Sequence, residues 1–528
     1  MTADGARERF YLTTAIFYPS ARPALHSLFE AIGADAIVRY QRMLGKDVRF
    51  LTGMDEHSAN VERKATEEGV TPRDLVDPWA ATWRAAFDKF GISYDRFIRT
   101  TDADHARAST EMVTRAMASG DIYKGTYSGW YCPGDNEFKT DQQLVDGRCP
   151  DHPSLELQWL EEENWFFRLS AYQDRLEQLY RDNPSFCEPE HYRNEVLGWL
   201  KDGLRDFSIS RAGGQWGIPF PTDPDHRIYV WFDALTNYIT GAGFPDDLDA
   251  FARWWPVDVH VIGKNITRFH CLYWPAMLMS AGIALPKQVF AHGFMLDRGG
   301  AKMSKTQGNV LDPDAMAELM SIDGVRYAVL REVPFDRDAD VSYDSFVRRY
   351  NADLANDFGN LLNRTLTMTS RFLDGERPAP ATTGELGSAW ATAWGSYTGQ
   401  MDSYLLHKAL EALWDFVGHA NRFVDDEQPW ALNKSAKAGD AEAADRLRST
   451  MADLLEACRV VALAGAPFMP GAAQSAHSQL GLDYTYAANG SDGPPLAEQA
   501  TWGALGGGGK VGAQDILFPR VEIEAPGS

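Results

Sequence analysis

The tightest constraint on the fold lies near the start of the chain. Phe10–Tyr18 (FYLTTAIFY) is rich in aromatic and β-branched residues and stops at Pro19, which predicts a buried strand. From Ala24 the apolar residues fall at Leu25, Leu28, Phe29, Ile32, Ala36, Ile37, Tyr40 and Met43. That stripe has a period near 3.6 and predicts a helix. Gly45 closes it, and Val48–Thr52 reads as a second strand. Strand, helix and strand at this spacing make a βαβ unit, so the sheet is parallel. Ligands of such sheets bind at the carboxyl ends of the strands, which points to Pro19–Ser27 and Gly53–Ser58.

Residues from about 115 to 225 break this pattern with short strands, turn signals and a Cys/His cluster, and read as an insertion. Strand signals return at Arg227–Phe232, Val257–Ile262 and Gln288–Phe290, with a helix near Phe269–Ala281. After about residue 346, Asn351–Phe372, Ser388–Asn421 and Ala441–Leu463 show helical stripes, while Arg377–Gly387 and Asn489–Gly509 read as loops. The 528 residues are 44% hydrophobic and 24% charged, which excludes a disordered or fibrous chain and leaves room for several domains. Five cysteines, Cys132, Cys149, Cys187, Cys271 and Cys458, are too few and too odd a set for a disulfide framework. The start, MTADGARERFYL, lacks an apolar signal segment, and no stretch reaches the roughly 18 to 20 apolar residues of a membrane span. A cytoplasmic protein without membrane contact is expected. With 51 Lys+Arg against 74 Asp+Glu the net charge is -23, which argues against gripping nucleic acid by general positive charge.

Lys302-Met303-Ser304-Lys305-Thr306 lies in a glycine-bounded loop, GGAKMSKTQGN. Two lysines three apart can clamp a polyphosphate, although a lone KxxK is more often a solvated loop. The string nearly spells the KMSKS signature of class I aminoacyl-tRNA synthetases. TTAIFYP, FLTGMDEH, ENWFFRLS, GLRDFSISR, YVWFDALTNY, VIGKN, RFHCLYWPAML, FAHGF, NDFGNLLNR, EQPWAL and ILFPR occur in that order. Over this span, from near residue 10 to near 523, the chain resembles methionyl-tRNA synthetases. The resemblance implies an α/β fold: a class I Rossmann-type parallel sheet with a connective-peptide insertion and a C-terminal α-helical anticodon-binding domain. The implied division is 1–114 and 227–345 for the two catalytic halves, 115–226 for the insertion and 346–528 for the helical domain. It also implies a monomer that uses ATP with Mg2+, L-methionine and tRNA(Met), without the extra C-terminal tRNA-binding domain of some members.

Matched residue by residue, Asp55 falls where the family holds the substrate ammonium. Ile16, Tyr18, Trp231, Ala234, Leu235, Tyr238, Ile266 and His270 match the side-chain pocket, where aromatic rings suit a polarizable thioether. Singly, each of these aromatics would more often be plain core. Lys302, Met303, Ser304, Lys305 and Asn265 match the ATP site, and Lys302 and Lys305 are implied catalytic groups together with His26 and Ser27. Asn360 and Arg364, four apart on one helix face, and Trp430 after Pro429 match anticodon readers, against a bland reading as an ordinary helix-capping asparagine and a buried indole. Cys132-Pro-Gly-Asp135 and Cys149-Pro-Asp-His152 match a zinc knuckle with Asp135 in place of a cysteine. Zinc accepts carboxylate oxygen, so Cys132, Asp135, Cys149 and His152 form a feasible Zn2+ site. A decayed knuckle that folds without metal is the alternative.

The departures gather on the nucleotide side. Where the family reads HIGH, this chain has Ala24-Leu25-His26-Ser27, so alanine replaces the first histidine, His26 the glycine and Ser27 the second histidine. Asn265 stands in GKNI where GKDI is usual. Losing one transition-state donor costs about 10²–10³ in rate. Arg22, just upstream, is a candidate replacement cation. Methionine–tRNA ligase is the expected function. Two readings stay open beside it: a paralogue that activates an amino acid for a specialised pathway, and an inactive pseudo-synthetase that binds methionine or tRNA. From Phe346 onward there are 14 Lys+Arg and 22 Asp+Glu, so tRNA affinity is expected to lean on placed base contacts. Gly506–Lys510 lacks the first glycine and the final hydroxyl of a phosphate loop, and Gly241-Ala-Gly243 lacks the third glycine of a dinucleotide fingerprint.

Overall fold

The computed structural model describes residues 7–19, 22–133, 137–139, 144–150, 152–300, 311–381, 383–483 and 496–522. The βαβ unit forms where the apolar periods place it. β1 (Arg9–Phe17) and β2 (Asp47–Met54) pair in parallel, joined by α1 (Leu25–Met43), which buries Leu25, Leu28, Phe29, Ile32, Ile37 and Tyr40. β3 (Arg96–Arg99) adds in parallel to β2. The chain then leaves the sheet for an antiparallel unit of β4 (Ile122–Cys132), β5 (Glu137–Lys139) and β6 (Gln158–Phe167). β7 (Cys187–Glu188) returns to the edge of the parallel sheet. β8 (Phe207–Ser208) pairs with β6, and β9 (Ser210–Ala212), β10 (Pro219–Phe220) and β11 (Asp223–Ile228) form a three-stranded sheet.

β12 (Val259–Gly263) and β13 (Val289–His292) complete the parallel sheet, whose order is β3-β2-β1-β12-β13-β7. The α/β class expected from the sequence holds. β1 lies between β2 and β12, so the direction of strand addition reverses there and a crevice opens at the carboxyl ends of β1 and β12. Two expectations need correction. Arg227–Phe232, read as a strand, ends as one at Ile228, and Val230–Leu235 is helical. Phe232, Asp233, Ala234 and Leu235 are all buried, and a helix satisfies their backbone internally. Ser388–Asn421, read as one helix, is two, Glu385–Asp402 and Leu406–Glu427. Tyr404 takes a left-handed φ of 58° at the break. Among the described residues no helix is long and apolar enough to cross a membrane.

One buried ion pair ties the sheet to the C-terminal helices. Arg326, on the helix Pro313–Glu332, is fully buried. Its Nη2 donates to Asp35 Oδ2 at 2.6 Å and to the Pro467 carbonyl at 3.1 Å. Nε donates to the Phe468 carbonyl at 2.9 Å and Nη1 to the Phe90 carbonyl at 3.0 Å. Asp35, on α1, also accepts from Arg39 Nε at 2.7 Å and from the Ser93 amide and hydroxyl at 2.7 and 2.5 Å. Burial alone would raise the Asp35 carboxyl, but Arg39, Arg326 and Ser93 outweigh it and hold it below the ordinary value. A depressed carboxyl stabilises the fold above its unfolded pKa, and that stability is lost as pH falls through the folded value. Arg326→Met would take one of two guanidinium partners from a buried carboxylate and leave three carbonyls without that donor. The expected loss is about 3–5 kcal/mol in urea unfolding, and an unchanged midpoint would contradict this role.

Candidate active site

A cavity of about 230 Å³ opens at the carboxyl ends of β1, β12 and β13. Its wall includes Ile16, Tyr18, Asp55, Trp231, Ala234, Leu235, Tyr238, Ile266 and His270, the nine residues matched to a methionine pocket. His26, Ser27 and Asn265, matched to the nucleotide side, line the same space. So do Glu30 and His292, which motif matching assigned no role although His292 lies within FAHGF.

A bulge in β1 aims the first of these residues. Thr13 pairs with Leu51 and Ile16 with Gly53, so β1 carries one extra residue between those positions. Beyond the bulge Ile16, Phe17 and Tyr18 reach the cavity. Gly53 is required opposite, because a Cβ there would lie 2.0 Å from the Ile98 carbonyl oxygen.

The far wall is aromatic and uncharged. His270 sits in a π-helical turn, Phe269–Tyr273, of the kind that re-aims side chains at sites. Its Nδ1 faces the Ile266 carbonyl at 3.0 Å, so that nitrogen carries the hydrogen. Nε2 is left to accept from the Tyr238 hydroxyl at 2.6 Å. Burial pushes His270 down to about 4 and holds the Tyr238 phenol well above its ordinary value, so both are neutral. Trp231 stacks on Phe269 with centroids 3.7 Å apart and planes 8° from parallel. This wall suits an apolar, polarizable group.

The near end is anionic and unsatisfied. Three buried carboxylates meet in one corner. Asp233 is fully paired: Oδ2 with His57 Nδ1 at 2.8 Å, and Oδ1 with His105 Nε2 at 2.8 Å and the Ser109 hydroxyl at 2.9 Å. Burial would raise Asp233, but His105 and His57 more than offset it and hold the carboxyl well below its ordinary value. Glu56 accepts from Arg99 Nε at 2.6 Å and the Thr101 hydroxyl at 2.5 Å. Asp55 alone of the three has an oxygen, Oδ1, that meets no donor among the described residues. Burial first, then the charges of Asp233 and Glu56, push its carboxyl well above the ordinary value, against one bond from the His57 amide. A buried orphan acceptor beside a cavity is a socket for a cation.

The nucleotide side departs from expectation in one respect. Ala24 is the N-cap of α1 and makes no side-chain cap bond. It faces a neighbouring cavity of about 560 Å³ with Arg22, Lys89 and Asp314. Arg22, the candidate replacement cation, therefore lines that second space. Lys302, Met303, Ser304 and Lys305 lie outside the described residues.

Two other constellations are partly visible. Cys132 and Cys149 are buried, and their sulfurs lie with a His152 nitrogen within 4.8 Å of one another. That soft donor set fits zinc; Asp135 lies outside the described residues. Asn360 is exposed on the helix Gly359–Phe372, and Arg364, one turn on, pairs with Asp425 at 3.1 Å. Trp430, read alternatively as a buried indole, is 45% exposed at the start of the helix Pro429–Lys437.

Comparison with known proteins agrees with this geometry. The family model described as tRNA synthetases class I (M) matches residues 10–157 and 152–366. A methionine–tRNA ligase of Mycobacterium bovis is 48% identical over 472 residues, 88% of this chain and 90% of its own length. One from Brucella suis is 42% identical over 522 residues, 98% of each chain. The solved structure of Mycobacterium tuberculosis methionyl-tRNA synthetase in complex with methionyl-adenylate superposes with a TM-score of 0.89 at 43% identity. The match covers 97% of this chain and 100% of that one.

Asp55 yields a stability test. A carboxyl raised in the folded state favours folding most in acid, and that contribution is lost as pH rises through the folded pKa. Asp55→Asn is therefore expected to stabilise the ligand-free protein by about 1–3 kcal/mol in mildly alkaline buffer, with the gain shrinking in acid. Urea midpoints at the two pH values check this, and a destabilised variant would show that Asp55 is already satisfied.

Proposed function

The chain belongs to the methionine–tRNA ligase family of class I tRNA synthetases, and from that premise we propose how its residues run the family reaction. ATP and L-methionine give methionyl-adenylate and pyrophosphate, and the methionyl group then passes to tRNA(Met). The observation that carries the proposal is the cavity itself, with the unmet Asp55 oxygen at one end and a neutral aromatic wall at the other. Asp55 takes the substrate ammonium. The thioether lies among Trp231, Tyr238 and His270, with Ile16, Tyr18, Ala234, Leu235 and Ile266 closing the pocket.

The substrate carboxylate then points toward the start of α1, where the positive end of the helix dipole favours negative charge. ATP lies along His26, Ser27 and Asn265, with Met303, Ser304 and the Lys302 and Lys305 ammonium groups on its phosphates, and Mg2+ supplies further charge neutralisation. A methionine carboxylate oxygen attacks the α-phosphorus as the bond to pyrophosphate breaks. A hydroxyl of the tRNA 3′-terminal ribose next attacks the carbonyl carbon, and AMP departs. Catalysis in both steps is positioning and charge stabilisation. Asn360, Arg364 and Trp430 read unstacked anticodon bases. A cytoplasmic monomer, divided at 1–114, 115–226, 227–345 and 346–528, is part of the same proposal.

Ala24 favours one competing reading, a methionine-binding protein that forms no adenylate, because its side chain has no donor for a phosphate. Methionine-dependent ATP–pyrophosphate exchange separates the two. Exchange is expected, and a variant carrying Ala24→His, His26→Gly and Ser27→His is expected to raise its rate by about 10²-fold. No exchange at saturating methionine and ATP would overturn the ligase proposal.

Cys132, Cys149 and His152, with Asp135 as the fourth ligand, would hold one zinc ion that cross-links the insertion. About one zinc per chain is expected by elemental analysis of protein purified without chelator. Less than about 0.2 per chain would favour the metal-free knuckle.

A further inference from the structure

Glu30 links parts of the site that are not neighbours in the sheet. The bulge in β1 falls between Thr13 and Ile16, and the Ala15 amide there donates to Glu30 Oε1 at 2.8 Å. The other carboxylate oxygen, Oε2, meets His292 Nε2 at 2.8 Å. Ala15 lies on β1 and His292 ends β13, with β12 between them. One buried side chain of α1 thus spans an intervening strand.

Both ends of this span lead into the cavity. On one side, Ile16 and Tyr18 follow the bulge. On the other, Gly293, Phe294 and Met295 follow His292 and line the same space. His292 Nδ1 also faces the Gly293 carbonyl at 2.7 Å, so both ring nitrogens face acceptors. Gly293 leaves the loop no slack, because a Cβ there would lie 2.0 Å from the Arg337 carbonyl carbon.

We propose that Glu30 is a positioning residue for adenylate formation, its two oxygens holding the Ile16–Tyr18 wall of the cavity at a fixed distance from the Gly293–Met295 wall. This rests on the proposed reading of the cavity as a methionine site. The property that matters is reach. Glutamine has the same span, can accept from the Ala15 amide through its carbonyl and can donate its NH2 to His292 Nε2 while Nδ1 keeps the Gly293 carbonyl. Aspartate keeps the charge but is one carbon too short to reach both partners.

The test compares Glu30→Gln and Glu30→Asp with the wild type in methionine-dependent pyrophosphate exchange, with methionine KM and kcat read separately and melting followed by circular dichroism. Glu30→Asp is expected to lose about 10–100-fold in kcat/KM, part of it as a raised methionine KM. Glu30→Gln is expected to stay within about 3-fold of wild type. A purely structural role would lower the melting temperature and the active fraction without moving KM. An active Glu30→Asp beside an inactive Glu30→Gln would overturn the proposal in favour of charge, as would both variants matching wild type in favour of no role. If the wild type shows no exchange, the ligase reading fails separately. Methionine calorimetry on the same proteins then decides: weaker binding to Glu30→Asp alone supports the span, and equal binding to all three overturns it.

Discussion

The Arg326–Asp35 pair is the constraint on which the placement of the site depends. Asp35 lies in the middle of α1, and the same helix carries His26 and Ser27 at its start and Glu30 one turn further on. By bonding Asp35 Oδ2 and three backbone carbonyls, Arg326 fixes α1 against the C-terminal helices at Pro467 and Phe468. Taking two charges out of water is costly, and such a pair is weak evidence for stability by itself. Its value here is geometric. It sets where α1 lies, and α1 sets where the His26–Ser27 edge of the cavity lies.

Asp55 differs from the buried carboxylates around it and in α1. Asp233, Glu56 and Asp35 are buried with their oxygens satisfied, whereas Asp55 is buried with one oxygen unmet. Local rules of polar satisfaction tend to fail at functional positions, where a ligand completes them. The opposite wall is built to carry no charge, since Tyr238 and His270 satisfy each other while burial keeps both neutral. An amino acid with an ammonium group at one end and an uncharged thioether at the other meets both conditions.

How much of this was legible in the sequence depended on the range of the interaction. The βαβ unit was legible because strand and helix periods are local. Val230–Phe232 reads as the end of a strand and is helical, because a short apolar run looks alike as strand or buried helix. The break at Tyr404 was missed because a tyrosine is an unusual left-handed residue. The nine pocket residues, spread from Ile16 to His270, were legible only through ordered family motifs, since no local pattern joins them. Glu30 and His292 carried no such signal. Their meeting requires a bulge in one strand and the register of another, which appear only when the sheet is assembled.

The acidic balance of the chain is consistent with this account, which places recognition in a few groups and not in a general field. The central claim is that the unmet Asp55 oxygen receives the methionine ammonium. Calorimetric titration of methionine, repeated across pH in buffers of different ionisation enthalpy, tests it most directly. Affinity should rise as pH rises through the elevated Asp55 value, with a proton released on binding below that value. Affinity independent of pH, with no proton released, would contradict it.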